Sequence, residues 1–209
     1  MSNLGTLLGD PERARLVRDY YETRLERLRA RREAVKPAER PRVLLLEYNE
    51  RGGKGAVRVP AHAWMQTQEV EAAGGRPVWL EGAAGTSGWT VVNLEQIARW
   101  DPDQIYVVVW YTLDPAQVIA GLKADPEWRS LRAVRTGRLA AFPGDLYSWD
   151  SPDPRWILGM TWLATRIAPE RFRDVDMAAE VRGFFGTLYG LAPDSVETRL
   201  MPRVHRDVR

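Results

Sequence analysis

Six aromatic side chains stand close to the points where the sequence predicts that β-strands end. In a sheet of parallel strands, the residues beyond the carboxyl ends of the strands line the ligand cleft. Tyrosine and tryptophan present large flat surfaces in such a cleft, on which an organic ligand can stack. We therefore predict that these six residues line a binding cleft: Tyr48, Trp89, Trp110, Tyr111, Tyr147 and Trp149.

Two arginines near these rings could add polar recognition. Arg51 follows Tyr48 by three residues, and Arg155 follows Trp149 by six. A guanidinium group donates paired hydrogen bonds that suit carboxylate or catecholate oxygens. We predict that both arginines contact the ligand, and ordinary salt bridging is the alternative interpretation.

The remaining motifs give little support for catalysis. The glycine-rich residues 52–55 lack the spacing of a phosphate-binding loop, so they predict a flexible loop. His62 and His205 are isolated, and the chain has neither an H-E-x-x-H motif nor a Ser/His/Asp order. The absence of cysteine excludes disulfides and thiolate metal sites. The sequence therefore predicts a protein that is not an enzyme and has no cofactor or resident metal.

Composition restricts the partners. The 209 residues include 30 basic and 28 acidic side chains, a balance that does not predict nucleic-acid binding. No apolar run reaches 18 residues, so no membrane span is predicted. The first ten residues lack the basic and apolar regions of a signal peptide.

The predicted elements alternate between strands and helices. An N-terminal helix is predicted from an Asp10 N-cap to about Val35, with an apolar stripe from Leu16 to Leu28. Strands are then predicted at 42–47, 77–80, 104–109 and 138–142, and helices at 61–73, 93–100, 115–123, 154–167 and 177–188. This alternation predicts an α/β fold, namely a single Rossmann-like three-layer lobe with a mostly parallel sheet, preceded by a long helix.

Several phrases, taken in order, resemble one family. They are EAAGG at 71–75, PDQI at 102–105, the tryptophan-led segment 128–134 with Gly137-Arg138 after it, and Pro154-Arg155 before the last long helices. From Asp10 to Leu191 the chain resembles the C-terminal lobe of class III periplasmic binding proteins. These proteins have a helical backbone between their lobes and deliver ferric siderophores, haem and vitamin B12 to ABC importers.

The resemblance implies an organisation and a set of partners. Residues 1–36 would be the inter-lobe helix, 42–192 the C-terminal α/β lobe and 193–209 a polar tail. The family's N-terminal lobe would be missing from this chain. The expected partners are that lobe, an ABC permease and a small-molecule metal complex, and the full-length parent would be extracytoplasmic. Trp89 and Trp149 would lie in the cleft, and Asp150 near the acidic position that meets the permease.

The leading hypothesis is one lobe of a solute-binding protein for an iron complex such as a ferric siderophore. Cobamide or haem binding by the same fold is an alternative. So are a Rossmann-like or chelatase-like enzyme domain and an interaction module that has lost transport. A chelate bound on purification would favour the first hypothesis, and turnover of a substrate would favour an enzyme.

Overall fold

A six-stranded mixed sheet forms the centre of the fold. The computed structural model describes residues 7, 9–51, 54–80, 82, 85, 87–204 and 208. Residues 43–46 on the first strand are fully buried, and so is most of 104–109. Strands buried on both faces must be covered by helices on both sides, which gives the predicted three layers.

The strands are β1 (Arg42–Arg51), β2 (Lys54–Val59), β3 (Arg76–Pro77), β4 (Thr90–Val92), β5 (Gln104–Val109) and β6 (Leu139–Ala141). Their order is β4-β2-β1-β5-β6, and β3 pairs with the start of β1. The β1 strand runs parallel to β3 and β5, and β5 runs parallel to β6. The β2 strand runs antiparallel to both β1 and β4. The parallel strands β1, β5 and β6 therefore direct their carboxyl ends to one edge of the sheet.

The antiparallel β1–β2 pair differs from the prediction. The sequence predicted that the first strand ends at Glu47, but β1 continues to Arg51 and β2 pairs with its second half from Glu47 to Arg51. Two strand-forming runs separated by a Gly-Gly dipeptide are a hairpin signal. The hairpin was not predicted, because these glycines were compared only with the spacing of a phosphate-binding loop.

The helices are α1 (Pro11–Glu33), α2 (Met65–Ala72), α3 (Leu94–Trp100), α4 (Pro115–Ala124), α5 (Arg132–Arg135), α6 (Trp156–Ile167), α7 (Met177–Tyr189) and α8 (Pro193–Ser195). Two predicted N-caps are confirmed. The Asp10 side chain accepts a hydrogen bond from the Arg13 amide at 2.8 Å, and Asn93 forms a capping box with Gln96. Within the described ranges, no helix combines the length and the apolar character that a membrane crossing requires.

The C-terminal segment is less polar than expected. After α8, a π-helical turn (Val196–Leu200) and a 3₁₀ turn (Met201–Arg203) follow. Val196, Met201 and Val204 are buried in the core. The segment therefore packs on the lobe, and the expectation of a polar tail missed these three apolar anchors because they are spaced among charged residues.

The α1 helix packs on α6 and α7. Tyr20 and Leu28 are buried, and the Tyr21 ring stacks on Trp156 with centroids 5.3 Å apart. Arg24 and Arg27 both pair with Glu180 of α7, at 2.8 and 2.7 Å. Apolar contact and a shared carboxylate therefore hold α1 against the lobe.

Replacement of Glu180 tests how strongly this carboxylate holds α1. Glu180→Gln leaves two half-buried guanidinium groups without their counter-ion, so we expect the free energy of unfolding to fall by about 1–2 kcal/mol. Chemical denaturation measures the change. Glu26→Gln removes an exposed carboxylate from α1 itself and should change stability by less than about 0.5 kcal/mol. Equal losses in the two variants would show that the Glu180 ion pairs contribute no more than surface charge.

Candidate binding cavity

A cavity of about 390 Å³ lies at the carboxyl ends of β5 and β6, beside Glu47 in the middle of β1. Five groups of residues line it: Glu47 and Gln66; Trp89; Val108 to Tyr111; Leu113 and Pro115; and the loop after β6, from Phe142 to Pro152 with Pro143 and Trp149 excepted. The cavity thus occupies the edge of the sheet at which ligands bind in open α/β folds.

Four of the six predicted aromatic residues meet at this cavity. Trp110 and Tyr111 follow β5 directly, with ring centroids 5.0 Å apart and planes inclined at 44°. Trp110 is 38% exposed, Tyr111 is 79% exposed and Tyr147 on the opposite loop is 64% exposed. Large rings exposed together at a cavity mouth offer a stacking surface for a ligand or a partner.

Trp89 forms another wall of the cavity. Its ring makes an edge-to-face contact with Trp64, with centroids 5.6 Å apart and an interplanar angle of 87°. The Arg58 guanidinium lies 5.9 Å from the same ring. These contacts fix the orientation of Trp89 and leave part of the indole facing the cavity.

The loop after β6 is organised by Asp145. Its carboxylate accepts hydrogen bonds from the Leu146 and Tyr147 amides, the latter at 3.3 Å. Arg155 donates to the same carboxylate at 2.9 Å and pairs with Asp153 at 2.6 Å. The Arg155 guanidinium also lies 5.1 Å from the centre of the Tyr147 ring. Arg155 therefore holds the loop and Tyr147 in place from behind, and it does not line the cavity.

Three acidic side chains line the cavity, and their environments differ. Glu47 is paired with Arg58, and Asp145 is paired with Arg155. Asp150 is only 4% exposed and accepts a hydrogen bond from the Gln66 amide at 3.1 Å. Asp150 is thus the lining carboxylate that an amide, rather than a guanidinium, holds in place.

Glu69 lies behind this wall, one helical turn from Gln66 on α2. It is fully buried, and neither carboxyl oxygen has a hydrogen-bond partner among the described residues. Burial, and then the charge of Asp150, raise the pKa of Glu69 well above its ordinary value. The Glu69 carboxyl is therefore kept in its neutral form over a wider pH range than an exposed glutamate.

Trp149 was predicted to face the cavity, and this prediction is wrong. Its side chain is 0% exposed and belongs to the hydrophobic core. Its indole N–H points to Asp145 at 3.4 Å, and a Cβ at Gly159 would lie 2.6 Å from its carbonyl oxygen. The loop turns Trp149 into the core and the next residue, Asp150, into the cavity wall. Sequence position alone could not distinguish these two directions.

Asp150 is buried in this structure, whereas the permease contact that the family resemblance implied would require an exposed carboxylate. A carboxylate that is 4% exposed and hydrogen-bonded to a buried amide cannot form a surface ion pair without a rearrangement of the loop. In the structure it faces the cavity, so its place is a cavity wall rather than a docking surface.

Tyr48 also lies away from the cavity. Neighbouring residues of a strand point to opposite faces, and Tyr48 points to the face opposite to that of Glu47. Glu47 and its strand partner Val108 line the cavity. The Tyr48 ring packs over Gly55 of β2, where an added Cβ would lie 2.5 Å from the phenol oxygen. Burial, and then Glu50, raise the pKa of Tyr48. The side chain of Arg51, the other candidate on this strand, lies outside the described residues.

Sequence reasoning missed the polar part of the wall. Glu47 is an acid at the end of the apolar run VLLLE, and this signal could have marked it as a site residue. Gln66, Asp145 and Ser148 carry no comparable signal. No group of three or more His, Cys, Asp or Glu side chains in the described part of the chain is arranged to hold a metal ion.

The sheet and its helices form a single α/β lobe with a cavity at the ends of its strands. The chain belongs to the periplasmic binding protein family, whose sequence profile matches residues 1–146. The resemblance seen in the sequence is thereby confirmed at the level of the family.

Individual relatives agree on the fold. A periplasmic solute-binding protein from Veillonella parvula superposes with a TM-score of 0.72 at 25% identity, over 94% of this chain and 57% of its own length. An ABC transporter solute-binding protein from Sulfurospirillum deleyianum gives a TM-score of 0.75 at 23% identity, over 94% of this chain and 58% of its own.

A sequence relative has a ligand in its name. The molybdate-binding protein MolA of Haemophilus influenzae is 30% identical over 108 residues, which are 51% of this chain and 30% of MolA. The chain thus spans less than two thirds of the length of each of these relatives.

Proposed function

We propose that this chain is one lobe of the solute-binding component of an ABC importer. The observation that carries the proposal is the cavity at the carboxyl ends of the strands, with three aromatic rings exposed at its mouth or on its wall, in a chain of the periplasmic binding protein family. A second lobe in the parent protein would cover the open side of the cavity. The partner would be an ABC permease, and the parent protein would meet it outside the cytoplasm.

The cargo that this half of the cleft suits best is a metal complex with an organic chelator, such as a ferric siderophore. A volume of about 390 Å³ in one lobe accommodates part of such a ligand. The Trp110, Tyr111 and Tyr147 rings offer flat apolar surface to its organic shell. Cobamide and haem present similar flat surfaces and belong to the same proposal.

Binding is favoured over catalysis by the composition of the wall. The carboxylates are the strongest candidates for a general base among the described lining residues, and two of the three are held in ion pairs with arginine. Rings and paired carboxylates can orient a ligand without transforming it. We therefore infer transport rather than an enzymatic role for the Rossmann-like fold.

Molybdate is a second candidate, supported by the 30% identity to MolA. A bare oxyanion needs hydrogen-bond donors or cationic side chains around it. The described wall instead presents Glu47, Asp145 and Asp150. This lobe is therefore better suited to an organic complex than to a free oxyanion.

Calorimetric titration tests the proposal. Ferric tris-hydroxamate, ferric tris-catecholate, cobalamin, haem and molybdate are titrated into the chain. We expect one of the organic complexes to bind, and Trp110→Ala to weaken its binding about tenfold, since an aromatic contact contributes about 1 kcal/mol beyond its buried area. Tyr189→Ala removes an exposed ring from the end of α7 and should leave affinity unchanged.

Two results would contradict this assignment. Binding of molybdate alone would replace the metal-chelate proposal with the oxyanion alternative. Binding that Trp110→Ala leaves intact would place the ligand somewhere other than this cavity.

A further inference from the structure

Asp150 differs from the other carboxylates of the cavity in the way that its charge is balanced. Arg58 forms an ion pair with Glu47, and Arg155 forms ion pairs with Asp145 and Asp153. Asp150 has the Gln66 amide as its hydrogen-bond partner, and no described basic side chain forms an ion pair with it. A buried carboxylate without a counter-ion is costly, because desolvation removes the water that stabilises its charge.

The groups around Asp150 do not supply the missing positive charge. Glu69, its acidic neighbour, is fully buried, and burial and the charge of Asp150 raise its pKa, which favours the neutral form. The described lining offers amide, hydroxyl and aromatic groups in addition to the two paired acids. The surface that faces the cavity therefore carries a net negative charge centred on Asp150.

The rings at the mouth of the cavity favour the same sign of ligand charge. The face of an aromatic ring is electron-rich and attracts cations, most strongly for tryptophan. Trp89 and Trp110 line the same cavity as Asp150. Carboxylate and indole together form a site that attracts a positive group and repels a negative one.

We propose that Asp150 is the counter-ion for a positively charged group of the cargo, so that the cavity selects cationic metal complexes over anionic ones. This inference rests on the solute-binding function proposed above and narrows it. Asp150 thereby takes a role in ligand selection instead of the permease contact that the family resemblance implied.

A charge series of inert cobalt(III) complexes tests the selection. The probes are tris(2,2′-bipyridine)cobalt(III) as the cation, tris(acetylacetonato)cobalt(III) as the neutral complex and tris(oxalato)cobaltate(III) as the anion. Inert complexes do not exchange ligands with protein carboxylates, so charge is compared rather than coordination. Binding is followed on the full chain through the indole N–H signals of its nine tryptophans, which detect weak affinities.

We expect the affinity to fall from the cation through the neutral complex to the anion. Asp150→Asn keeps the size of the side chain and a hydrogen-bond acceptor for Gln66. It should weaken cation binding about tenfold, which lies between the losses for exposed and for fully desolvated charge pairs. Binding of the neutral complex should change less than about twofold, because only the Coulomb term is removed. Asp174→Asn removes one negative charge at the remote α1 ion pair and controls for net charge.

The outcomes separate the two proposals. Equal binding of cation and neutral complex, unchanged by Asp150→Asn but weakened by Trp110→Ala, would overturn charge selection and leave solute binding intact. Tighter binding of the anion than of the cation would also overturn the proposed preference for cationic complexes. Failure of all three complexes to shift any indole signal would overturn charge selection, and the calorimetric titration with the organic complexes would then decide solute binding separately. Thermal unfolding of Asp150→Asn close to that of the wild type shows that a lost affinity is not a lost fold.

Discussion

Trp149→Ala is expected to lower the free energy of unfolding by about 3–5 kcal/mol, the range for truncation of a large buried aromatic side chain. The Trp149 side chain is completely enclosed, so its removal leaves a cavity in addition to the lost burial of the ring. The indole N–H contact to Asp145 is lost as well. Chemical denaturation of the purified variant measures the change.

Trp110→Ala is the matched comparison, since it removes the same side chain from the mouth of the cavity. Trp110 is 38% exposed, so we expect its removal to cost about 1 kcal/mol or less. The two variants should therefore separate: Trp149→Ala loses stability, and Trp110→Ala loses ligand affinity. Equal losses of stability would contradict the assignment of Trp149 to the core.

The fold could be predicted from the sequence where local patterns decide. The Gln104–Val109 strand was predicted with its observed bounds because an unbroken valine run suits a strand buried on both faces. The Asp10 and Asn93 caps were predicted because capping depends on a few adjacent residues. The short β4 strand was missed, because three residues that depend on pairing with β2 leave little local signal.

The cavity could be predicted only in part. The edge of the sheet was predictable, because the carboxyl ends of parallel strands mark the ligand side. Trp110 and Tyr111 follow directly from the end of β5. The direction of a side chain in an irregular loop depends on tertiary packing, so Trp149 and Asp150 could not be assigned correctly. The Asp145–Arg155 pair was also beyond prediction, since it joins a loop to the start of a helix across ten residues.

Glu69→Gln is expected to change the pH dependence of stability more than any other single replacement proposed for this chain. Burial and the charge of Asp150 raise the pKa of Glu69 above its ordinary value of 4.5. Above about pH 4.5 the unfolded chain loses this proton and the folded protein keeps it. Unfolding then releases a proton, so a rise in pH favours the unfolded state.

The contribution of Glu69 to stability is therefore complete below its unfolded pKa and declines as pH rises toward its folded pKa. The limiting slope is about 1.4 kcal/mol per pH unit for one proton. Glutamine is neutral at every pH and has no such slope. At pH 5 we expect Glu69→Gln to be no more stable than the wild type, because the new amide donors also lack partners. Between pH 5 and 8 the variant should become the more stable protein.

Denaturant unfolding of both proteins at half-unit steps from pH 5 to 8 measures this crossing. Glu71→Gln removes a half-buried carboxylate from the same helix, and the difference between the two variants isolates the buried position. Parallel stability curves for Glu69→Gln and the wild type would show that Glu69 carries no retained proton. A crossing would show that the folded protein keeps the Glu69 carboxyl neutral to a higher pH than the unfolded chain does.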